Sequence, residues 1–260
     1  MKRRTFVELL GGIGMMSQGA SGEAGKKKRT SFYVLHNFYL KNGPQVERIH
    51  EYLSKTLLPA LNRRVAGPKI FLEALVAPHM PQVAVILGFQ SLTEYWKMHS
   101  ELSISERFGA AYSDWENGPE APMESCSTTL LEAADYSPEI EVPSTPPKTQ
   151  RIFELRVYHS PSNTQLSALH VRFAGPEIKI FHRVGVRPLF YSSTVFGLNK
   201  PNLTYLIPFD NLAAREKAWS AFSADPDWIK VRRESIEKHG QISSIIQISL
   251  YRATPYSPIR

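Results

Sequence analysis

Aromatic and β-branched residues alternate with polar ones through Phe32-Tyr33-Val34-Leu35-His36-Asn37-Phe38, which predicts a strand over residues 32–39. Asn42-Gly43-Pro44 then opens a helix, because Val46, Ile49, Leu53 and Leu57 keep the three-to-four spacing of one helical face. Two short apolar runs, 69–77 and 83–89, are separated by Pro78 and Pro81 and predict a strand pair. Leu92 to about Trp115 predicts a second helix, and residues 125–134 a last strand. The order then starts again: strand 152–158, helix from about Ser162 to Phe173, strands near 189–196 and 203–209, helix 212–238, strand 242–252.

The second round is a copy of the first, displaced by 120 residues. Tyr136-Ser137-Pro138 returns as Tyr256-Ser257-Pro258, Phe89-Gln90-Ser91-Leu92 as Phe209-Asp210-Asn211-Leu212, and Ala66-Gly67-Pro68 as Val186-Arg187-Pro188. Several anchors at one lag mean two copies of one supersecondary unit. The order βαββαβ is that of the ferredoxin-like unit, an α+β arrangement with two helices on one face of a four-stranded antiparallel sheet. The bare faces of two such sheets can cover each other. On the first strand of copy two, Phe153, Leu155 and Val157 are expected to meet the helices, and Glu154, Arg156 and Tyr158 the other sheet. Residues 1–30 form a leader and basic tail, 31–138 the first unit, 139–150 a proline-rich linker and 151–260 the second unit.

The net charge of +7 suggests a nucleic-acid or membrane partner until it is located. Lys2, Arg3, Arg4, Lys26, Lys27, Lys28 and Arg29 face only Glu8 and Glu23, so this segment carries +5 and leaves about +2 for the rest. No nucleic-acid partner is therefore expected. Lys2-Arg3-Arg4-Thr5-Phe6-Val7 resembles the twin-arginine export motif, followed by a weakly apolar stretch from Leu9 to Met16 and small residues to Ala24. That stretch is far short of the ~20 residues that span a bilayer. Export, to the periplasm in a bacterium, with loss of residues 1 to about 24 is the expectation. The lone Cys126 excludes an intramolecular disulfide and is expected to be a small buried hydrophobe.

Phe153-Glu154-Leu155-Arg156-Val157-Tyr158 resembles the opening strand motif of the NIPSNAP family. Leu212-Ala213-Ala214-Arg215, Ala218-Trp219, Phe222 and Asp225-Pro226-Asp227-Trp228 resemble its second-helix signature. The resemblance covers copy two and, more weakly, copy one, where Tyr95, His99 and Phe108 replace Arg215, Trp219 and Trp228. It implies a dimeric α+β barrel, here built from tandem units, and a superfamily that includes small oxygenases, haem-handling enzymes and muconolactone isomerase-like proteins. It implies no agreed reaction or cofactor, since NIPSNAP members are described mainly as binding or signalling proteins.

His50 and His170 occupy one structural position on the apolar stripe of the first helix, facing the space between helix and sheet where relatives of this barrel place haem or substrate. A neutral imidazole there serves as ligand or base, or as a packing residue bonded to a backbone carbonyl. Glu47, one turn before His50, is replaced by Ser167 before His170, so a carboxylate is expected to raise the proton affinity of His50 alone. His36 and Arg156 are equivalent and, with Phe38 and Tyr158, are expected to line a cavity between the sheets. His182 is expected to act as a cation at a helix end, and His79 to be a solvent-facing turn residue. Arg215 serves either as a carboxylate clamp or as half of an exposed ion pair. Asp225-Pro226 is expected to cap a helical turn, and Trp219, Phe222 and Trp228 to be core.

The candidate pocket residues are thus His50, His170, His36, Arg156, Tyr158 and Arg215, with no metal set expected. The chain lacks a Gly-rich phosphate loop, a Gly-x-Ser-x-Gly elbow and a paired zinc motif. Two functions stand: a binding or interaction protein of the cell envelope, and an oxygenase- or isomerase-type enzyme with a pocket between helices and sheet. Haem is the candidate cofactor, a small apolar or aromatic ligand the candidate partner, and a homo-oligomer stays open.

Overall fold

The structure, a computed structural model, describes residues 29–145 and 148–260. The expected export signal therefore lies outside the described residues. Eight strands, β1 (Phe32–Tyr39), β2 (Lys69–Val76), β3 (Gln82–Phe89), β4 (Ser125–Ala133), β5 (Ile152–His159), β6 (Phe190–Phe196), β7 (Asn202–Phe209) and β8 (Ile245–Ala253), close into one antiparallel barrel. Its order is β1-β3-β2-β8-β5-β7-β6-β4. Each unit supplies four neighbouring strands, and the ladders β2–β8 and β4–β6 join the units, each with a register shift. Closure leaves no sheet edge unpaired, which a lone four-stranded unit would do twice.

Helices α1 (Pro44–Tyr52) and α2 (Leu58–Asn62) are joined through a π turn at Leu53–Leu57, and α5 (Asn163–Arg172) and α6 (Ile178–Arg183) through another at Phe173–Glu177. The predicted end at Phe173 is thus corrected: the helix runs on to Arg183. Gly175 and Pro176 fall in the π turn, where Gly175 departs from helical angles and the missing proline N–H is absorbed. Each predicted long second helix is two: α3 (Leu92–Ser103) and α4 (Glu106–Glu116), then α7 (Leu212–Ala224) and α8 (Pro226–His239). Ser105 caps α4 by accepting from Phe108 N, while Asp225 Oδ1 caps α8 by accepting from Asp227 N at 2.9 Å, with Pro226 at the first helical position.

Three cores result. One lies inside the barrel, and the other two lie between each unit's helices and its own half of the sheet. The predicted faces of β5 are reversed. Phe153 and Leu155 lie in the barrel core, whereas Tyr158 packs under the helices and Glu154 bonds to side chains of α7. Both faces of these strands are covered, so alternation separates the two sets of residues without saying which set is inside. The partners decide: α7 carries an arginine and an indole N–H for Glu154, and the barrel core carries none.

The repeated Tyr-Ser-Pro segments cross between the units. Tyr136 and Ser137, after β4, sit on unit two, where Tyr191 N donates to Ser137 Oγ at 3.0 Å. Tyr256 and Ser257, after β8, sit on unit one, where Phe71 N donates to Ser257 Oγ at 3.0 Å. The linker also takes part, since Ile140 and Ile259 both enter the barrel core. Arg29 and Thr30, at the end of the basic tail, are bonded too: Arg29 donates to the carbonyls of Ala134, Asp135 and Ser137, and Thr30 N to Glu139. No helix among the described residues is long and apolar enough to cross a membrane.

Candidate functional site

The equivalent spaces beneath the helices of the two units are filled differently. In unit two, Val34 of β1 is matched by Glu154 of β5, whose side chain is wholly buried. An isolated buried carboxylate is costly, and this one is satisfied three times. Arg156 Nε donates to it at 2.5 Å, Arg215 Nε at 2.6 Å and Trp219 Nε1 at 2.9 Å. The Arg156 guanidinium also lies 3.6 Å from the centre of a Trp219 ring and donates to Tyr158 Oη at 2.9 Å. A second buried pair, Arg172 Nε to Glu177 Oε2 at 2.7 Å, stands behind it. Burial pushes the Glu177 carboxyl up to about 7 while Arg172 pulls it back. Arg156, Tyr158 and Arg215 therefore do converge, but as a sealed structural cluster, and Arg215 is no exposed surface cation.

Unit one carries other side chains at the same positions: His36 for Arg156, Tyr95 for Arg215, His99 for Trp219, Tyr52 for Arg172 and Leu57 for Glu177. The result is an open pocket of about 580 Å³. Its sheet side presents His36, Phe38, Cys126 and Thr128, and its helix side Tyr52, Tyr95, His99, Phe108, Tyr112 and Trp115. Tyr52 stacks on Trp115 at 4.3 Å with the rings 12° apart, and Tyr112 meets both edgewise. His36 thus lines this helix-side pocket, not the expected cavity between the sheets. Cys126 is exposed at its wall, contrary to the buried reading, because β4 lies at the margin of the helix cover.

His36 Nδ1 meets Thr128 Oγ1 at 2.9 Å, which leaves Nε2 as the nitrogen open to a ligand. Desolvation by the pocket wall, with repulsion from His99, brings its pKa down to about 4, so the ring is neutral at pH 7. His50 and His170 do not join either cluster. His50 Nδ1 meets Tyr256 Oη at 2.8 Å; His170 meets Tyr136 Oη at 2.7 Å and Ser193 Oγ at 2.7 Å. Their partners are the crossing tyrosines in place of backbone carbonyls. Burial lowers both pKa values, and the carboxylate that bears on His50 is Glu73 of β2, not Glu47. Burial and Arg187 lower His182 as well, so the cation at that helix end is Arg183, paired with Asp225 at 2.7 Å. His79 is exposed, as expected, with Nε2 3.2 Å from Leu40 O.

The depressed histidines each make stability fall as pH falls. Unfolded, each binds a proton near pH 6.5; folded, His36 does so only near 4. At His36 the unfolded chain binds more protons across that window, so this group's share of stability is full above about pH 6.5 and falls as pH drops through it. Glu177, raised to about 7 on folding, acts in the opposite direction over the same range. Relative to its value at pH 7, the melting temperature at pH 5 is expected to be lower in the parent than in His36→Gln. An identical slope in that variant would remove His36 from the account.

Residues that hold the site were partly invisible in the sequence. Glu154 lies on the face opposite to the expected one, and nothing in the apolar spacing singles out the stack of Tyr52, Tyr112 and Trp115. The signal was the lag itself: comparing residues 120 apart marks Val34 against Glu154 and Tyr52 against Arg172 as the positions where charge replaces a ring or an alkyl group. Among the described residues no group of three His, Cys, Asp or Glu could hold a metal ion. Among the described residues His36, with Nδ1 held by Thr128 and Nε2 facing the pocket, is the imidazole that would hold a haem iron.

The NIPSNAP family model matches residues 153–258, which is unit two. No curated protein matches the chain. Solved structures share the fold at low identity. An anthrone oxidase-like protein aligns with a TM-score of 0.54 at 15% identity, over 86% of this chain and 92% of its own. A chlorite dismutase mutant from Candidatus Nitrospira defluvii aligns at 0.52 and 8%, over 89% and 93%. A putative monooxygenase from Lactobacillus acidophilus aligns at 0.50 and 11%, over 86% and 94%. The fold is accordingly that of the dimeric α+β barrels, made here by one chain.

Proposed function

We propose that this chain is a tandem NIPSNAP-like protein that binds a small, flat, apolar or aromatic ligand in the helix–sheet pocket of unit one. One observation carries the reading: of two equivalent spaces, one is filled by a buried charge cluster and the other is left open and walled by aromatic rings. A volume near 580 Å³ suits a ligand of two or three fused rings. The ring faces supply stacking, and His36 Nε2 supplies one polar contact for a ligand hydroxyl. Unit two then serves as the rigid half of the barrel. The basic, twin-arginine-like leader supports a place in the cell envelope, which fractionation of cells carrying Arg3 and Arg4 or their Lys variants tests.

A second reading is an oxygenase- or isomerase-type enzyme in the same pocket. The position of His36 favours it, with Nδ1 held by Thr128 and Nε2 open to the pocket, though a pKa near 4 makes the ring a weak base. The names of the structural neighbours, a putative monooxygenase and an anthrone oxidase-like protein, accord with it.

Gly109 of α4 offers a clean test. It lines the pocket, a side chain built there meets no atom within 4 Å, and unit two has Ile229 at the matching position. Gly109→Ile is expected to weaken binding of 1-naphthol, followed by tryptophan fluorescence, by roughly tenfold. It should not lower Tm, because replacing a helical glycine favours the helix by about 0.5–1 kcal/mol. Undiminished 1-naphthol binding in the variant, or none in the parent, would discard the pocket. If binding holds and the ligand is also turned over, loss of turnover alone in His36→Gln would select the enzyme.

A further inference from the structure

A second cavity lies inside the barrel, at the end opposite the seal made by Ile140 and Ile259. Its volume is about 540 Å³. Both units build it, through equivalent positions such as Leu35 and Leu155, Gln82 and Asn202. Barrel interiors normally continue as packed apolar side chains. Here the inner face changes near the open end to amides and hydroxyls, and Gln82, Thr194, Asn202 and Thr204 are all nearly buried.

These groups are locked in place. Gln82 Nε2 donates to Asn37 Oδ1 at 3.0 Å and to Tyr251 Oη at 2.8 Å. Asn202 Oδ1 accepts from Thr194 at 2.9 Å and from Thr204 at 3.0 Å, while its Nδ2 donates to Asn199 O at 2.8 Å. The wall is therefore pre-organised. Gln82 Oε1 and Thr129 Oγ1 have no protein partner among the described residues, and so are left to the cavity. None of the lining residues is acidic, basic or histidine. An ionic ligand would be desolvated there with no counter-charge.

The two hairpins at this end carry exposed apolar residues. Leu198, which lines the cavity, is 78% exposed, and Val76, Met80 and Phe196, exposed too, lie in the same hairpins beside His79, Asn199 and Lys200. Exposed apolar residues gathered around a cavity mark contact with something apolar. We propose that the open end of the barrel is a second binding site, for an uncharged amphiphile: its hydroxyl or amide head among Gln82, Asn37 and Thr129, its chain against the apolar residues of these hairpins. This site opens on the inner side of the sheet and shares one lining residue, Thr128, with the pocket in unit one.

The test uses the full chain with octyl β-glucoside and glycerol monooctanoate as uncharged probes and octyl sulfate as the charged one, all below micelle formation. Saturable one-to-one binding of the uncharged probes is expected, with NMR shifts at the side-chain amides of Asn37, Gln82 and Asn202. Ser249→Phe, which fills the cavity, should weaken it by roughly tenfold or more. Gln247→Trp at the exposed rim should do the same if Ser249→Phe fails to fold. Gly109→Ile should leave it unchanged. Absence of saturable binding, survival of binding in a folded plugged variant, or equal binding of octyl sulfate would each overturn the proposal.

Discussion

Replacing Glu154 with Val, the residue unit one carries at the matching position, is expected to lower stability by about 3–5 kcal/mol, because two guanidiniums lose their buried counter-charge. For a folded body of this size that is a fall in Tm of roughly 6–20 °C. The cost lies in what is left behind: Arg156 and Arg215 have only 11% and 19% of their side chains exposed, and Trp219 keeps an indole N–H with no acceptor. Glu154→Gln keeps an oxygen for one donor and should lose less. The decisive variant changes the cluster together, Glu154→Val with Arg156→His and Arg215→Tyr. It copies three residues of unit one, and its loss should be smaller than that of Glu154→Val alone. Such non-additivity is the mark of groups that act as a unit. A urea midpoint for Glu154→Val equal to that of the parent, or strictly additive losses, would show that the three side chains do not depend on one another.

The same triple variant bears on function. With the charges gone, the space under α7 and α8 loses what fills it, and a second aromatic-walled pocket should begin to form in unit two. The scaffold is symmetric to the level of single hydrogen bonds, as the two serine contacts of the crossing segments show. What differs is the content of the two helix–sheet spaces, and the ligand reading rests on that difference.

The fold was legible because every level of the sequence repeats it. Strand periodicity, the helix face at Val46, Ile49 and Leu53, and the lag of 120 all point to the same βαββαβ unit. The cap at Asp225-Pro226 was legible from its residue pair, whereas the break at Ser105 was less so, since apolar spacing runs across it and only the capping serine interrupts it. The facing of β5 was not legible at all. A charged residue on a strand buried from both sides gives no direction until its partner is placed, and Arg215 lies 61 residues from Glu154. His50 and His170 were legible as one repeated position, but their partners were not. Their partners, Tyr256 and Tyr136, come from the other unit's trailing segment, which reads as the start of a linker or tail.

That trailing segment is expected to be as important as any strand. A chain stopped after Thr254 loses the Tyr256 ring over His50 and Phe71, the Ser257 Oγ that accepts from Phe71 N, and Ile259, which is 2% exposed in the barrel core. Deleting a buried isoleucine side chain alone costs about 2–5 kcal/mol. The Phe71 N–H, buried and deprived of its acceptor, adds about 1–3 kcal/mol. The summed loss is large beside the 5–15 kcal/mol that holds an ordinary domain together. Urea denaturation should therefore show the shortened chain largely unfolded or with its midpoint cut severely. Tyr256→Phe, which removes only the hydroxyl bonded to His50, should lose about 0.5–1.5 kcal/mol. A shortened chain with the parent's midpoint would mean that unit one holds its helix against the sheet unaided, and the crossing segments would then be decoration on two self-sufficient halves.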